Sequence, residues 1–121
     1  AYAMSGLSPA DIDLAELHDA FVVLEIVQSE EAGFFARGEG HLAVRRGDTM
    51  IGGRMPINTS GGLKAKGHPL GATGVSQIHE IVTQLRGEAG ARQVKGARTG
   101  MAINFGGFGN NVVVTILAGE E

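Results

Sequence analysis

Apolar residues recur at helical spacing in two regions of the chain. The first region, residues 20–32, predicts a helix that Asp19 caps and Gly33 ends. The second runs from about residue 69 or 70 to 86 and predicts a helix that ends before Gly87. The apolar stripes consist of Phe21, Val23, Leu24 and Val27, opposite the polar Glu25, Gln28 and Glu31, and of Val75, Ile78, Val82 and Leu85.

Three other segments have the pattern of strands. Residues 12–17 predict a short strand, after a turn at 8–11, and residues 99–104 and 112–118 predict two more. The last is too continuously apolar for a half-exposed sheet. The seven residues between these two strands exceed a usual hairpin loop, which suggests that their length serves a site. We predict loop with at most one short strand for residues 34–57, and an α/β fold in which helices cover a mixed sheet.

Composition and charge narrow the possible functions. The chain has 121 residues and 43% hydrophobic residues, which predicts one globular domain over 1–121. The net charge of −3 comes from interspersed charges, so nucleic acid is not an expected partner. No apolar run reaches the roughly 20 residues that span a bilayer, and we expect a cytoplasmic protein with no membrane partner. No cysteine is present, which removes thiol chemistry and thiolate metal sites from the chain acting alone, and no metal site is predicted.

The chain has 20 glycines, and they are clustered rather than evenly spread. Clustered glycines are typical of tight turns close to a ligand. Gly71 and Gly74 stand in the first turn of the second predicted helix, where glycine costs stability, so we expect something to approach that backbone closely.

Two histidines have the setting of a functional site. His18 follows a predicted strand and precedes a helix, at the sheet edge where open α/β folds bind ligands. The alternative is that His18 only helps Asp19 to cap the helix. His68 lies in a glycine- and proline-containing turn at a helix start, where a general base or a thiolate partner would sit well. A loop histidine without function is the alternative there.

Other candidates carry weaker patterns. Glycines after Asn104 could turn backbone N–H groups toward an oxyanion, or form an unusual hairpin turn. Lys64 and Lys66 could meet phosphate, although such a pair is more often solvated. His41 and His79 have no comparable setting and are treated as surface or structural residues.

Four segments together resemble the C-terminal part of thiolases, especially the sterol-carrier-type and archaeal acetoacetyl-CoA branch. In chain order they are 16–21 (ELHDAF), 58–64 (NTSGGLK), 67–74 (GHPLGATG) and 104–107 (NFGG). The resemblance covers nearly the whole chain, and the second and third segments are its most specific part. It implies a thiolase-like C-terminal half-domain and favours the functional interpretation of both histidines.

The resemblance also implies the roles of individual residues. His68 matches the histidine that activates a nucleophilic cysteine, and His18 matches a position that helps to form an oxyanion hole for an enolate. The loop containing Asn104, Gly106 and Gly107 matches the last active-site loop, which borders a second oxyanion hole. Ser60 and Gly61, within the second segment, are assigned to substrate binding. The expected substrate is a coenzyme A thioester, with no covalently bound cofactor.

The chain departs from the thiolase pattern in two ways. The nucleophilic cysteine belongs to the N-terminal half of thiolases, so the expected partner is that half or a subunit that carries it, within an oligomer. Many thiolases have a further acid/base cysteine near the last loop, where this chain has Met101, which cannot exchange a proton. A cysteine-free, thiolase-like aldolase and a non-catalytic binding or scaffold subunit are therefore the alternatives.

The chain begins AYAMSGL, as if cut from a longer helix. A proteolytic or engineered fragment and a natural half-enzyme that pairs with a separate chain are both compatible with this start. We expect the isolated chain to lack thiolase activity and to expose an apolar surface that the other half would cover.

Overall fold

The computed structural model describes residues 1–119, and the last two residues of the predicted domain lie outside this range. Three strands and five α-helices form a mixed α/β fold, as predicted. The strands are β1 (Leu14–Glu16), β2 (Thr99–Gly106) and β3 (Asn111–Ala118). The α-helices are α1 (Tyr2–Ser5), α2 (Val22–Glu31), α3 (Gly40–Arg46), α4 (Gly62–Lys66) and α5 (Thr73–Leu85), and 3₁₀ turns span Pro9–Asp11 and Gly90–Arg92.

The sheet has the order β1-β2-β3, with β1 parallel and β3 antiparallel to β2. Glu16 pairs with Ala102 at the end of the parallel ladder. Two residues further along each strand direction, the same register brings His18 close to Asn104. The carboxyl ends of the two parallel strands therefore meet at one edge of the sheet, the edge that the sequence predicts for a ligand.

Different segments cover the two faces of the sheet. One face packs on a buried apolar cluster to which Phe34, Phe35 and Met55 contribute from the loops around α3. On the other face α5 lies so close to β2 that a Cβ on Gly100 would stand 2.6 Å from Ile81 Cγ2. Only glycine allows that approach, and Ile81 is fully buried as a result.

Helix α2 corrects two expectations from the sequence. It begins at Val22, and no side chain caps its first turn. Its apolar stripe faces outward, since Phe21 is 69% exposed and Val23 58% exposed. The polar Gln28 is instead buried. The stripe rule assumes that the apolar side of a helix meets the core of its own chain, and the described residues provide no such cover here.

The two shortest helical elements of the glycine-rich regions were missed. The segment predicted as loop contains α3, and its one strand-like feature is an isolated bridge between Ile57 and Ala15. Helix α4 was not predicted at all, because glycines at its start and just after its end hide its pattern. Helix α5 is confirmed but begins at Thr73, after a turn closed by hydrogen bonds to the Pro69 carbonyl.

The connection between β2 and β3 is a four-residue hairpin turn, shorter than expected from the sequence. Both strands extend further than predicted, to a final pair between Gly106 and Asn111. The predicted seven-residue loop is therefore wrong, and the length of the connection no longer suggests a site. Four-residue hairpin loops are common and need no functional explanation.

The hairpin also carries the expected exposed apolar surface. Val112, Val113 and Val114 are 46%, 55% and 37% exposed, and because successive strand residues point to opposite faces, both faces of β3 are exposed at this end. Leu70 and Val75 extend this surface on the α5 side, with 84% and 70% exposure. Among residues 1–119, no helix is both long and apolar enough to cross a membrane.

Candidate active site

His18 lies just beyond β1, and hydrogen bonds to its backbone amide and carbonyl hold it in place. Gln28 accepts a hydrogen bond from the His18 amide at 3.0 Å and donates one to its carbonyl at 2.8 Å. This clamp explains why a polar residue occupies the buried side of α2. With 4% exposure, His18 is nearly enclosed.

Asp19 caps a different helix from the one predicted. Its carboxylate accepts hydrogen bonds from the backbone amides of Leu63 and Lys64, at 2.7 and 3.4 Å, in the first turn of α4. Gly62 at the start of α4 passes so close to the Asp19 carboxylate that a Cβ there would overlap with it. The first two thiolase-like segments are thereby tied together, and α4 leads directly into the turn that contains His68.

His68 stands against His18 in an edge-to-face pair. Their ring centroids are 4.8 Å apart with an interplanar angle of 87°. His68 is exposed, and its Nδ1 lies 2.7 Å from the Thr73 hydroxyl. The structure thus brings together the two predicted histidines from segments 50 residues apart in the chain.

Asn104 from β2 completes this cluster. Its amide nitrogen lies 3.4 Å from His18 Nδ1 and donates to Gln77 Oε1 at 3.0 Å. The Phe105 ring stacks on His18 at 5.8 Å between centroids. The residue of β2 that contacts His18 through a polar group is therefore Asn104, whereas Met101 is 1% exposed within the core cluster.

Three residues at this site were missed from the sequence: Thr73, Gln77 and Phe105. Thr73 and Gln77 are four residues apart and share one face of α5. That face is unusually polar for a buried one, since Glu80 and Gln84 are also buried there. A polar stripe beside a histidine-bearing turn is the signal that could have revealed Thr73 and Gln77.

Ser60 and Gly61 lie near the site but are engaged within the chain. The Ser60 hydroxyl donates to Glu16 Oε2 at 2.6 Å, and its backbone amide donates to Glu16 Oε1 at 3.1 Å. Glu16 is 1% exposed. Burial raises the pKa of Glu16, against the opposing effect of the Ser60 hydrogen bonds. Gly61 begins α4 as its N-cap. A role of Ser60 and Gly61 in substrate binding stays a prediction.

Gly106 and Gly107 lie at the hairpin turn, next to Phe105. Within residues 1–119, neither glycine is hydrogen-bonded to His18 or His68. Gly106 pairs with Asn111 at the end of the ladder. Their part in an oxyanion hole also stays a prediction.

Among the described residues, neither the other two histidines nor the two lysines form a hydrogen bond with His18 or His68. His41 and His79 are exposed. Lys64 is exposed on α4, and Lys66 bonds to the Ser76 hydroxyl at 2.8 Å and lies 3.8 Å from Glu16 Oε2. The structure shows no group of three or more histidine, aspartate or glutamate residues in the described part of the chain that could hold a metal ion.

The electrostatics favour a neutral His18. Burial lowers its pKa, and the neighbouring His68 lowers it further, against a smaller opposing effect of Asp19. A neutral imidazole has one N–H donor and one bare nitrogen. The site therefore offers one enclosed neutral ring and one exposed ring, 4.8 Å apart, of which one can give a hydrogen bond while the other takes a proton.

Comparison with known proteins shows the family to which the chain belongs. Acetyl-CoA acetyltransferase from Methanothermobacter thermautotrophicus is 53% identical over 98% of this chain and 31% of its own length. Human sterol carrier protein 2 is 52% identical over 95% of this chain and 21% of its own length. The chain thus spans about a fifth to a third of these relatives.

A solved structure gives the same fold. A chain of the Ltp2-ChsH2(DUF35) aldolase superposes with a TM-score of 0.71 at 36% identity, covering 84% of this chain and 26% of that one. A family described as thiolase C-terminal domain-like matches residues 1–119. The chain belongs to the thiolase C-terminal domain-like family.

Proposed function

We propose that this chain forms the histidine-bearing part of a thiolase-like acyltransferase that acts on acyl-CoA and 3-oxoacyl-CoA thioesters. His68 is the base and His18 an oxyanion donor, while the nucleophilic cysteine comes from a separate part of the assembly. The observation that carries this proposal is the His18–His68 pair, with rings 4.8 Å apart at the carboxyl ends of the parallel strands.

The hydrogen bonds of Thr73 support His68 as the base. The Thr73 hydroxyl donates to the Pro69 carbonyl at 3.2 Å, because a carbonyl can only accept. Its lone pair is then left to accept from His68 Nδ1–H at 2.7 Å. Nε2 of the neutral ring carries the lone pair, as a base requires.

The proposed acyl transfer proceeds in two proton-balanced steps. His68 Nε2 takes the thiol proton from the cysteine, and the thiolate attacks the thioester carbonyl, whose oxygen becomes an oxyanion. The carbon–sulfur bond to coenzyme A then breaks, and the leaving thiolate takes the proton back from His68. In the following step, a base of the assembly takes the α-proton of the second thioester, and His18 donates a hydrogen bond to the resulting enolate oxygen. The enolate carbon attacks the acyl-cysteine carbonyl, the carbon–sulfur bond to the cysteine breaks as the carbon–carbon bond forms, and the base returns the proton to the released thiolate.

The exposed apolar surface supports a partner that covers it. Both faces of β3 are exposed at Val112 to Val114, and Phe21, just before α2, is 69% exposed. Relatives that are three to five times as long as this chain contain further residues that could lie there. We propose that the part with the cysteine, or its subunit, packs on this surface in a cytoplasmic oligomer.

A retro-aldol reaction is the second candidate function. The similarity to the aldolase chain and the absence of cysteine from all 121 residues favour it. Met101 lies near the position where many thiolases have an acid/base cysteine, and it cannot exchange a proton. A binding or scaffold role is less favoured, since His18, His68 and Asn104 lie together rather than scattered.

Product identification tests the proposal. The assembly that contains both the chain and the cysteine is incubated with acetoacetyl-CoA and coenzyme A, and the products are identified by mass spectrometry. Acyl transfer gives two acetyl-CoA molecules for each acetoacetyl-CoA. If a panel of 3-hydroxyacyl-CoA thioesters instead yields a free aldehyde or ketone and one acyl-CoA, the retro-aldol function replaces it, and turnover of neither substrate favours the scaffold role.

A further inference from the structure

Gln77 is a fully buried amide whose orientation is fixed by its neighbours. It is 1% exposed on α5, and its amide nitrogen donates to the Ile103 carbonyl at 2.9 Å and to the Glu16 carbonyl at 3.2 Å. Carbonyl oxygens only accept, so the amide nitrogen must face them. The acceptor Oε1 of Gln77 therefore points to Asn104.

This orientation determines that of Asn104. Gln77 Oε1 can only accept, so Asn104 must present its amide nitrogen, at 3.0 Å. The second hydrogen on that nitrogen is available to His18 Nδ1, 3.4 Å away. An amide nitrogen cannot accept a hydrogen bond, so Nδ1 of His18 carries the lone pair and the ring proton resides on Nε2.

We propose that Gln77 and Asn104 form a positioning relay that fixes His18 as the Nε2–H tautomer, opposite to the Nδ1–H tautomer that Thr73 fixes in His68. The relay starts from two backbone carbonyls and passes through two side-chain amides to the imidazole. Neither amide transfers a proton. Both amides act through His18: they keep the ring proton on Nε2, the nitrogen farther from Asn104, which is then a hydrogen-bond donor.

The relay deepens the proposed function and rests on it. An oxyanion donor needs Nε2–H, whereas a base needs a bare Nε2, so two adjacent histidines of the same tautomer could not perform both tasks. The two chains of hydrogen bonds resolve this conflict. Without Gln77, the Asn104 amide could turn its oxygen to His18 Nδ1 and stabilise the wrong tautomer.

The tautomers can be read directly by NMR. In the assembly labelled with ¹⁵N-histidine, long-range ¹H–¹⁵N correlations distinguish the protonated from the bare ring nitrogen. At a pH where both rings are neutral, we expect Nε2–H for His18 and Nδ1–H for His68. Nδ1–H in His18 of the unaltered protein would overturn the relay.

Two variants test the relay itself. Asn104→Asp replaces the donor to His18 with an acceptor of the same shape, so we expect Nδ1 of His18 to become protonated. Gln77→Met removes the acceptor that orients Asn104, and we expect mixed tautomers of His18 with kcat lowered about tenfold and KM little changed. A variant Gln77→Met that keeps pure Nε2–H in His18 contradicts the proposal.

Gln84→Met is the matched control. Gln84 is equally buried on the same face of α5, and its amide bonds to the Arg92 carbonyl and the Val94 amide. A merely structural effect would lower stability in both variants, but only Gln77→Met should change the His18 tautomer and kcat. Because the tautomer is measured without turnover, a failed relay is distinguishable from a failed acyl-transfer proposal, in which the tautomers stand but acetyl-CoA is not formed.

Discussion

The histidine site and the hairpin surface differ in how the chain itself surrounds their side chains. Around His18, buried polar groups are paired within the chain: Gln28 holds its backbone and Asn104 approaches its ring. On β3, Val113 and its neighbours are left uncovered by the described residues. The contrast teaches that the chain holds its two histidines together through its own contacts, whereas the described residues leave part of the hairpin without cover.

The largest expected effect comes from breaking the site at Gly62. A Cβ there would overlap with the Asp19 carboxylate, and φ is +63°. Steric overlap and a left-handed backbone together should cost about 3 kcal/mol of unfolding free energy in Gly62→Ala. Chemical denaturation of the chain measures it.

Gly74→Ala is the matched control for that substitution. Its Cβ would meet Asn104 at an ordinary 3.5 Å, and Gly71 has nothing within 4 Å, so the close approach predicted for these glycines does not come from the described residues. Removing a helical glycine should leave stability unchanged or raise it by up to about 1 kcal/mol. Equal losses in the two variants would show that α4 is not held against Asp19 as described.

A smaller effect is expected from Asp19→Ala. Loss of the cap on α4 should lower the unfolding free energy by about 1 to 2 kcal/mol. Asp19→Asn retains an acceptor oxygen and should lose less. If the alanine and asparagine variants are both as stable as the parent chain, the tie between His18's segment and α4 contributes little.

The pH dependence of folding stability tests the enclosed environment of His18. The pKa of His18 is lowered in the folded chain, chiefly by burial, so the unfolded chain binds its proton first as the pH falls. The stability that neutral His18 contributes is therefore present above its unfolded pKa of about 6.5 and is lost as the pH falls from there to the folded pKa. Denaturation of the chain and of His18→Asn across this range should show a shallower pH dependence for the variant.

The smallest effect on folding stability is expected at the hairpin surface. Val113→Lys should change the unfolding free energy by less than about 0.5 kcal/mol, because the side chain is already 55% exposed. It should nevertheless weaken self-association or assembly, measured by light scattering. A parent chain that stays monomeric at high concentration and binds no hydrophobic dye would contradict the uncovered surface.

The sequence was most informative where the local spacing of apolar residues determines the secondary structure. Strand β2 and helix α5 were predicted because the spacing of their apolar residues is that of the strand and the helix they form. The thiolase-like segments led to one hypothesis for both His18 and His68. Side-chain pairings across long separations were not predictable. Asp19 caps a helix more than 40 residues away, and Gln28 is buried because it clamps a histidine backbone.

The prediction that the apolar face of α2 is buried was wrong for a related reason. Periodicity shows which side of a helix is apolar, but it does not show whether the covering residues belong to the same chain. Helices α3 and α4 were hidden by the glycines at their ends, whose turn signals outweigh a helical pattern of five to seven residues.

The most direct test of the central claim is the rate of acetoacetyl-CoA thiolysis by the assembly that contains the cysteine, with His68→Ala compared with the unaltered protein. Loss of a catalytic base should lower kcat about 100- to 10,000-fold. His79→Ala, at an exposed histidine on α5, is the matched control and should keep the parent rate. A His68→Ala assembly that turns over as fast as the His79→Ala assembly would contradict the role of the histidine pair.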